Sequence, residues 1–285
     1  MPKKPPVNAK PTKSLFLEAL TSDHDLASAI SDLVDNSTDA ALRMRGRARY
    51  DGLEVHIEFD TKKFGVRDNC GGIDLKTASE VLFSLGRPEN YQATARQVGR
   101  FGIGLKRAVF LMGDTISVES WTAHSHFVID VDLQKWARTD EWDFEFKTYD
   151  DDIEMPSQKI GTTISVTDLR PAISQEFGLN TFEPDVIEIL QKEHKSALHH
   201  GLRISVNGTA LASEPYKLKQ LPQHIEPAYF HASYNGSKAP ELAVELMPGS
   251  TNRNPRTLGG TSRVTGASFS SRTRPVRQVG AKRAT

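Results

Sequence analysis

The chain has 285 residues, 36 basic and 36 acidic, with 38% hydrophobic residues and 20 glycines, the balance of a globular protein and not of a disordered one. No apolar run approaches the ~20 residues that span a bilayer, and the basic N-terminus lacks the apolar stretch of a secretion signal. A cytoplasmic protein with no membrane partner is expected, and the single cysteine, Cys70, excludes an internal disulfide and a cysteine-rich zinc module.

The zero net charge conceals an asymmetry. Residues 246–285 hold seven arginines, Lys282 and no acid, which leaves a net −8 over the rest of the chain. An acidic body argues against a general clamp on duplex DNA, which needs Lys and Arg to displace counterions from phosphate.

In chain order, residues 1–13 are rich in proline and lysine and read as a flexible basic arm. A helix is predicted over 23–44, with Ser22 and Asp25 as a short capping box. Strands follow at 53–60 and 63–68, the second running into the turn Asn69-Cys70-Gly71-Gly72. Residues 75–98 read as a helix followed by a polar stretch. A second helix spans 105–113 and stops at Gly113 as a C-cap. Strands are predicted at 115–121, 126–133, 144–150 and 161–169, a helix at 182–200, and a hairpin over 201–211 turning on Asn207-Gly208. The last clear strand is 240–247. Beyond it no apolar periodicity survives, and the segment reads as disordered. Two accounts fit this basic tail: a functional arm, or a shifted reading frame near residue 248.

Several short motifs bear on chemistry. Projected at 100° per residue, the first helix places Leu26, Ile30, Leu33 and Val34 on one side and Asp25, Asp32, Asn36 and Asp39 on the other. A solvated acidic face is the plain reading. Against it stands the run Asp35-Asn36-Ser37-Thr38-Asp39, poor helix formers in mid-helix whose oxygens suit a hydrated Mg²⁺. Asp68 ends a strand before two glycines. This is either a tight turn or a carboxylate aimed into a pocket that glycine leaves open to a flat ligand. Gly99, Gly102 and Gly104 lead into a helix carrying Lys106, a pattern that frees backbone N–H groups at a helix N-terminus for phosphate. Gly161-Thr162-Thr163 alone reads as a strand start. The pairs His124/His126 and His199/His200 lack further ligands at zinc spacing.

In this order, AISDLVDNSTDA, VRDNCGGID, VGRFGIGLKRAVFLMG and GTTISVTDL resemble the four motifs of the GHKL, or Bergerat-fold, ATPases. That family holds DNA gyrase B subunits, ninety-kilodalton heat-shock chaperones, histidine kinases and MutL-type repair proteins. GRFGIGLKRA is most similar to the MutL, microrchidia and bacterial chaperone-like branch. The resemblance implies an α+β, two-layer sandwich: a mixed, mostly antiparallel sheet covered by helices. It would occupy residues 14–170, with the start of a transducer-like domain over 171–247 and the basic tail over 248–285.

The resemblance also implies ATP and Mg²⁺ as cofactors. Asn36 would coordinate the metal and Asp68 would accept from the adenine amino group. Gly72 would lie under the base, with Thr162 or Thr163 reaching it through Asp68 and water. Gly99, Gly102, Gly104 and Lys106 would hold the phosphates beside a lid over 74–98. Asp32 stands where the family's general base is usually Glu, and Cys70 replaces a motif glycine. The expected activity is slow ATP hydrolysis coupled to lid closure, homodimerisation or the binding of a protein client. The alternatives are a nucleotide-binding assembly module without turnover, and a nucleic-acid-associated protein acting through its basic arms.

Overall fold

The computed structural model describes residues 11–22, 25–46, 48–84, 103–154, 156, 159–213, 230–236, 239–247 and 261–265. Two compact units divide the chain. The first comprises residues 1–92 and 99–215, the second residues 93–98 and 216–285.

The first unit is built on eight strands: β1 (Glu54–Phe59), β2 (Phe64–Asp68), β3 (Gly113–Trp121), β4 (His126–Asp132), β5 (Phe146–Asp150), β6 (Gly161–Leu169), β7 (Arg203–Val206) and β8 (Thr209–Ala210). Their order across the sheet is β5-β4-β3-β6-β2-β1-β7-β8. All neighbours are antiparallel except β1 and β7. Burial alternates along β1, β2, β3 and β6, the signature of a sheet covered on one face only. Val55, Ile57, Val66, Ile116, Val118 and Ile164 fill that covered face. The result is the expected two-layer α+β sandwich.

The covering helices include α1 (Lys13–Thr21), α2 (Leu26–Arg45), α4 (Gly104–Met112) and α7 (Phe182–Glu193), with α2 in contact with both α4 and α7. The short α3 (Leu75–Thr77) runs into a π-helical turn at Ala78–Leu82, and α5 (Leu133–Trp136) follows β4. α2 begins one turn later than its sequence suggested. Asp25 is the N-cap, accepting from the Ser28 N–H at 2.9 Å, while Ser22 closes α1. α2 ends at Gly46, whose φ of +60° suits only glycine well.

α1 replaces part of the expected flexible arm. Lys13 is buried, and its ammonium donates to the carbonyls of Trp136 (2.7 Å), Thr139 (2.8 Å) and Glu141 (2.6 Å) while lying 4.3 Å from the Trp136 ring centroid. A lysine with three carbonyl acceptors and an aromatic face ties its helix down. Gly113 is the C-cap of α4, as expected, but in an extended conformation that also opens β3. It is glycine because a Cβ there would stand 2.7 Å from the Thr167 carbonyl oxygen.

The first unit also continues past the 170/171 boundary that the sequence suggested. α6 (Pro171–Phe177) and α7 bring Phe177 and Phe182 against Phe59, at ring-centroid distances of 4.7 and 5.4 Å. Each such buried aromatic contributes about 1.5–3 kcal/mol. The helix expected over 182–200 breaks at His194 into α7 and α8 (Lys195–His199). β7 then joins β1 in parallel, and the hairpin turns as predicted on Asn207 (φ +45°) and Gly208 (φ +84°).

In the second unit, β9 (Phe230–Gly236), β10 (Ala239–Met247) and β11 (Thr261–Thr265) form an antiparallel sheet with β10 in the middle. β11 lies within the tail read as disordered. Its pattern is too short to register in the sequence, and it pairs with Ala243–Met247.

Candidate functional site

α2 carries the first group of residues. Its polar side is only partly solvated: Ser31, Ser37 and Asp39 are buried and Asp32 is half-buried, while Asp25 and Asn36 are exposed. α4 and α7 account for the enclosure. Asp32 lies against the first residue of α4, where a Cβ on Gly104 would stand 3.2 Å from the Asp32 Cγ and Oδ2. Asn36 donates from Nδ2 to the Asp32 carbonyl at 3.1 Å, which leaves its amide oxygen as the outward-facing hard donor. Such an oxygen fits a hydrated Mg²⁺.

On the α7 side, the Ser31 hydroxyl donates to Glu193 at 2.5 Å and stands 3.0 Å from His194 Nε2. His194 Nδ1 is 3.6 Å from Asp35 Oδ1. Burial, reinforced by the charges of Asp32, Asp39 and Glu193, pushes the Asp35 carboxyl up to about 7. Burial alone pulls the His194 imidazole down to about 4.

The second group surrounds Asp68 at the end of β2. Oδ2 accepts from the Ser37 hydroxyl at 2.7 Å and Oδ1 from the Cys70 N–H at 2.8 Å, and the Thr162 N–H donates to the carboxylate as well. Burial raises the Asp68 pKa above the usual carboxylate range, while these three donors and the charge of Arg43 oppose the rise. Two glycines let the backbone close around it. Gly72, at φ +73°, has no room for a Cβ beside the Trp121 carbonyl, and Gly161 has none beside the Asp68 carbonyl.

Register separates the two threonines. Thr162 pairs with Asp68 and Ser120 and shares their covered face, and its hydroxyl lies 3.0 Å from Ser120 Oγ. Thr163 pairs with Arg67 and Glu119 on the opposite face. Thr162 is therefore beside Asp68 and Thr163 is not.

The third group opens α4. Its N-cap residue, Ile103, supplies no side-chain cap to the first N–H groups. Lys106 is buried and donates to the carbonyls of Leu82 (2.9 Å) and Val81 (3.3 Å) at the end of the π-helical turn. Burial lowers its pKa to about 8. Gly99, Gly102 and the lid beyond Ser84 lie outside the described residues.

A helix that carries a carboxylate and an amide one turn apart, and braces a buried strand-end aspartate from the next residue, is the frame of a known ATPase family. Residues 24–162 match the family model described as histidine kinase-, DNA gyrase B- and HSP90-like ATPase. This region is a GHKL-type ATPase domain. ATP is the nucleotide that such a domain binds. No curated protein matches the chain. Within the GHKL domain, Ser37 and Arg43 are neighbours of Asp68 that sequence reasoning did not single out. The spacing Ser37–Arg43 on one helix was available, but its relation to Asp68 depends on how α2 lies across β2.

Proposed function

We propose that this chain is a Mg²⁺-dependent ATPase in which nucleotide binding drives a change of assembly. The observation that carries the reading is that neighbouring turns of α2 hold Asp32 against the start of α4 and, by Ser37, hold Asp68 at the end of β2. One helix thereby joins a phosphate-facing to a base-facing group.

Asp68 keeps an acceptor for an exocyclic amine, and Thr162 completes that corner. Gly104 and the uncapped N-terminus of α4 receive the phosphates, together with Gly99 and Gly102. Asn36 holds Mg²⁺ through its amide oxygen, and the ion neutralises charge on the phosphate oxygens. Asp32 orients the attacking water and takes its proton as the oxygen bonds to the γ-phosphorus and the bond to the β-phosphate oxygen breaks. Lys106 joins the phosphates by leaving the carbonyls of Val81 and Leu82, a rearrangement that its buried position makes costly. ATP then closes the lid and favours a homodimer or a client-bound form.

Phosphate release by the full chain, measured beside ATP affinity and light scattering with a non-hydrolysable analogue, tests the reading. Slow release with nucleotide-dependent assembly supports it. Binding and assembly without release would make the chain a non-hydrolysing module, the outcome favoured by an aspartate about one methylene shorter than the usual glutamate.

A further inference from the structure

The inference rests on the ATP reading above and concerns the base. α2 meets the Asp68 turn along one side, where Ser37, Ala40, Ala41 and Met44 follow the i, i+3, i+4, i+7 spacing of a single helix face. Ser37 bonds Asp68, and the two alanines are buried. Met44 differs: it is 48% exposed, whereas Leu26, Ile30, Leu33 and Val34 of the same helix are at most 3% exposed.

Its position is defined by the glycine turn. A Cβ built on Gly71 would stand 3.9 Å from both Cβ and Sδ of Met44, so the thioether lies along the space that a side chain at 71 would occupy. Gly71 has φ +106° and offers no side chain. Cys70 before it is turned into the core, and Gly72 after it is pressed against the Trp121 carbonyl. The turn around Asp68 thus presents bare backbone at Gly71 and Gly72, with a flexible, polarisable thioether beside it at the rim.

We propose that Met44 is a specificity-determining wall of the base pocket, packing its thioether against the adenine ring whose amino group Asp68 receives. Sulfur against an aromatic ring is a favourable contact, and an unbranched side chain can settle on a flat ligand once it arrives. The contact is with the base, so adenosine, ADP and ATP should all feel it equally.

Methionine oxidation tests this directly. The full chain is treated with dilute peroxide alone, with adenosine and with Mg-ATP, and each methionine is followed by mass spectrometry. Met44 should oxidise about 5–10-fold more slowly with either ligand, while buried Met112 stays slow throughout. In calorimetry Met44→Ala should weaken all three ligands by a common factor of about 5–10, and Met44→Leu should stay within about threefold of the parent. Unchanged Met44 oxidation in a protein that binds ATP overturns the proposal and leaves the ATP reading intact. A loss confined to ATP, with adenosine unaffected, also overturns it by placing the contact at the phosphates. Failure of the parent chain to bind ATP at all would remove the ATP reading itself, and this proposal with it.

Discussion

Around Asp68 the carboxylate is held by Ser37, Cys70 and Thr162, and two glycines let the backbone close around it. Around Asp32, little more than one turn of α2 away, the neighbours are Gly104, Asn36 and a set of further acids, and the nearby lysine is engaged with backbone carbonyls. The first region is fixed by hydrogen bonds and close packing. The second gathers carboxylates, and their mutual repulsion helps to raise the Asp35 pKa. On the proposed function, base recognition would be organised before nucleotide arrives, whereas the hydrolytic geometry would depend on what the phosphates and metal bring.

If the Asp68 end owes its rigidity to backbone contact, Gly161→Ala should have the largest effect of any substitution named here. Its Cβ has no space beside the Asp68 carbonyl, so β2 and β6 must separate. Loss of soluble folded protein, or a fall of more than about 3 kcal/mol in urea stability, is expected. A stable, ATP-binding variant would show that the corner is more compliant than its packing implies.

Around Asp32 the expected loss is in rate. Asp32→Asn should lower turnover by about 10²–10⁴ and leave ATP affinity within a few-fold. Full turnover in the variant would assign the water to another group. Asn36→Ala should instead weaken Mg-ATP binding.

The acid-rich side of α2 makes a third, opposite prediction. Asp35 titrates near 7 in the folded chain against 3.8 in an open one, so the native state holds the extra proton between those values. Its contribution to stability is full below 3.8 and is lost as pH rises through 7. Asp35→Asn should therefore be more stable than the parent at pH 8, by about 2 kcal/mol, with the advantage gone at pH 4. His194, lowered from 6.5 to about 4, works the other way and adds stability as pH rises over that window. Removing Asp35 should unmask that rise in urea titrations across pH 4–8. The smallest effect belongs to Ser37→Ala, which removes one donor from Asp68 and should weaken ATP by about 1 kcal/mol in calorimetry.

The sheet and the GHKL motifs were legible because they are local: alternation in β1–β6, a glycine pair after Asp68, and weak helix formers in the middle of α2. What escaped was the part set by contacts distant in sequence. Asp39 read as part of a solvated face although it is buried, and Ser31 was not singled out because its partners, Glu193 and His194, lie 162 and 163 residues onward. Lys13 read as part of a mobile arm because its acceptors, at Trp136, Thr139 and Glu141, cannot be inferred from a lysine among prolines. The choice between Thr162 and Thr163 needed register, which a strand's sequence alone does not supply.

The central claim is that Asp68 reads an adenine amine in a preformed corner. Calorimetry of the full chain with Mg-ATP and Mg-GTP, repeated on Asp68→Asn, tests it most directly. Guanine carries a carbonyl where adenine carries the amine. The account therefore predicts that ATP binds well, that GTP binds at least about 30-fold more weakly, and that Asp68→Asn loses about 2–4 kcal/mol for ATP. Equal affinity for the two nucleotides, or an Asp68→Asn variant that binds ATP as the parent does, would contradict it.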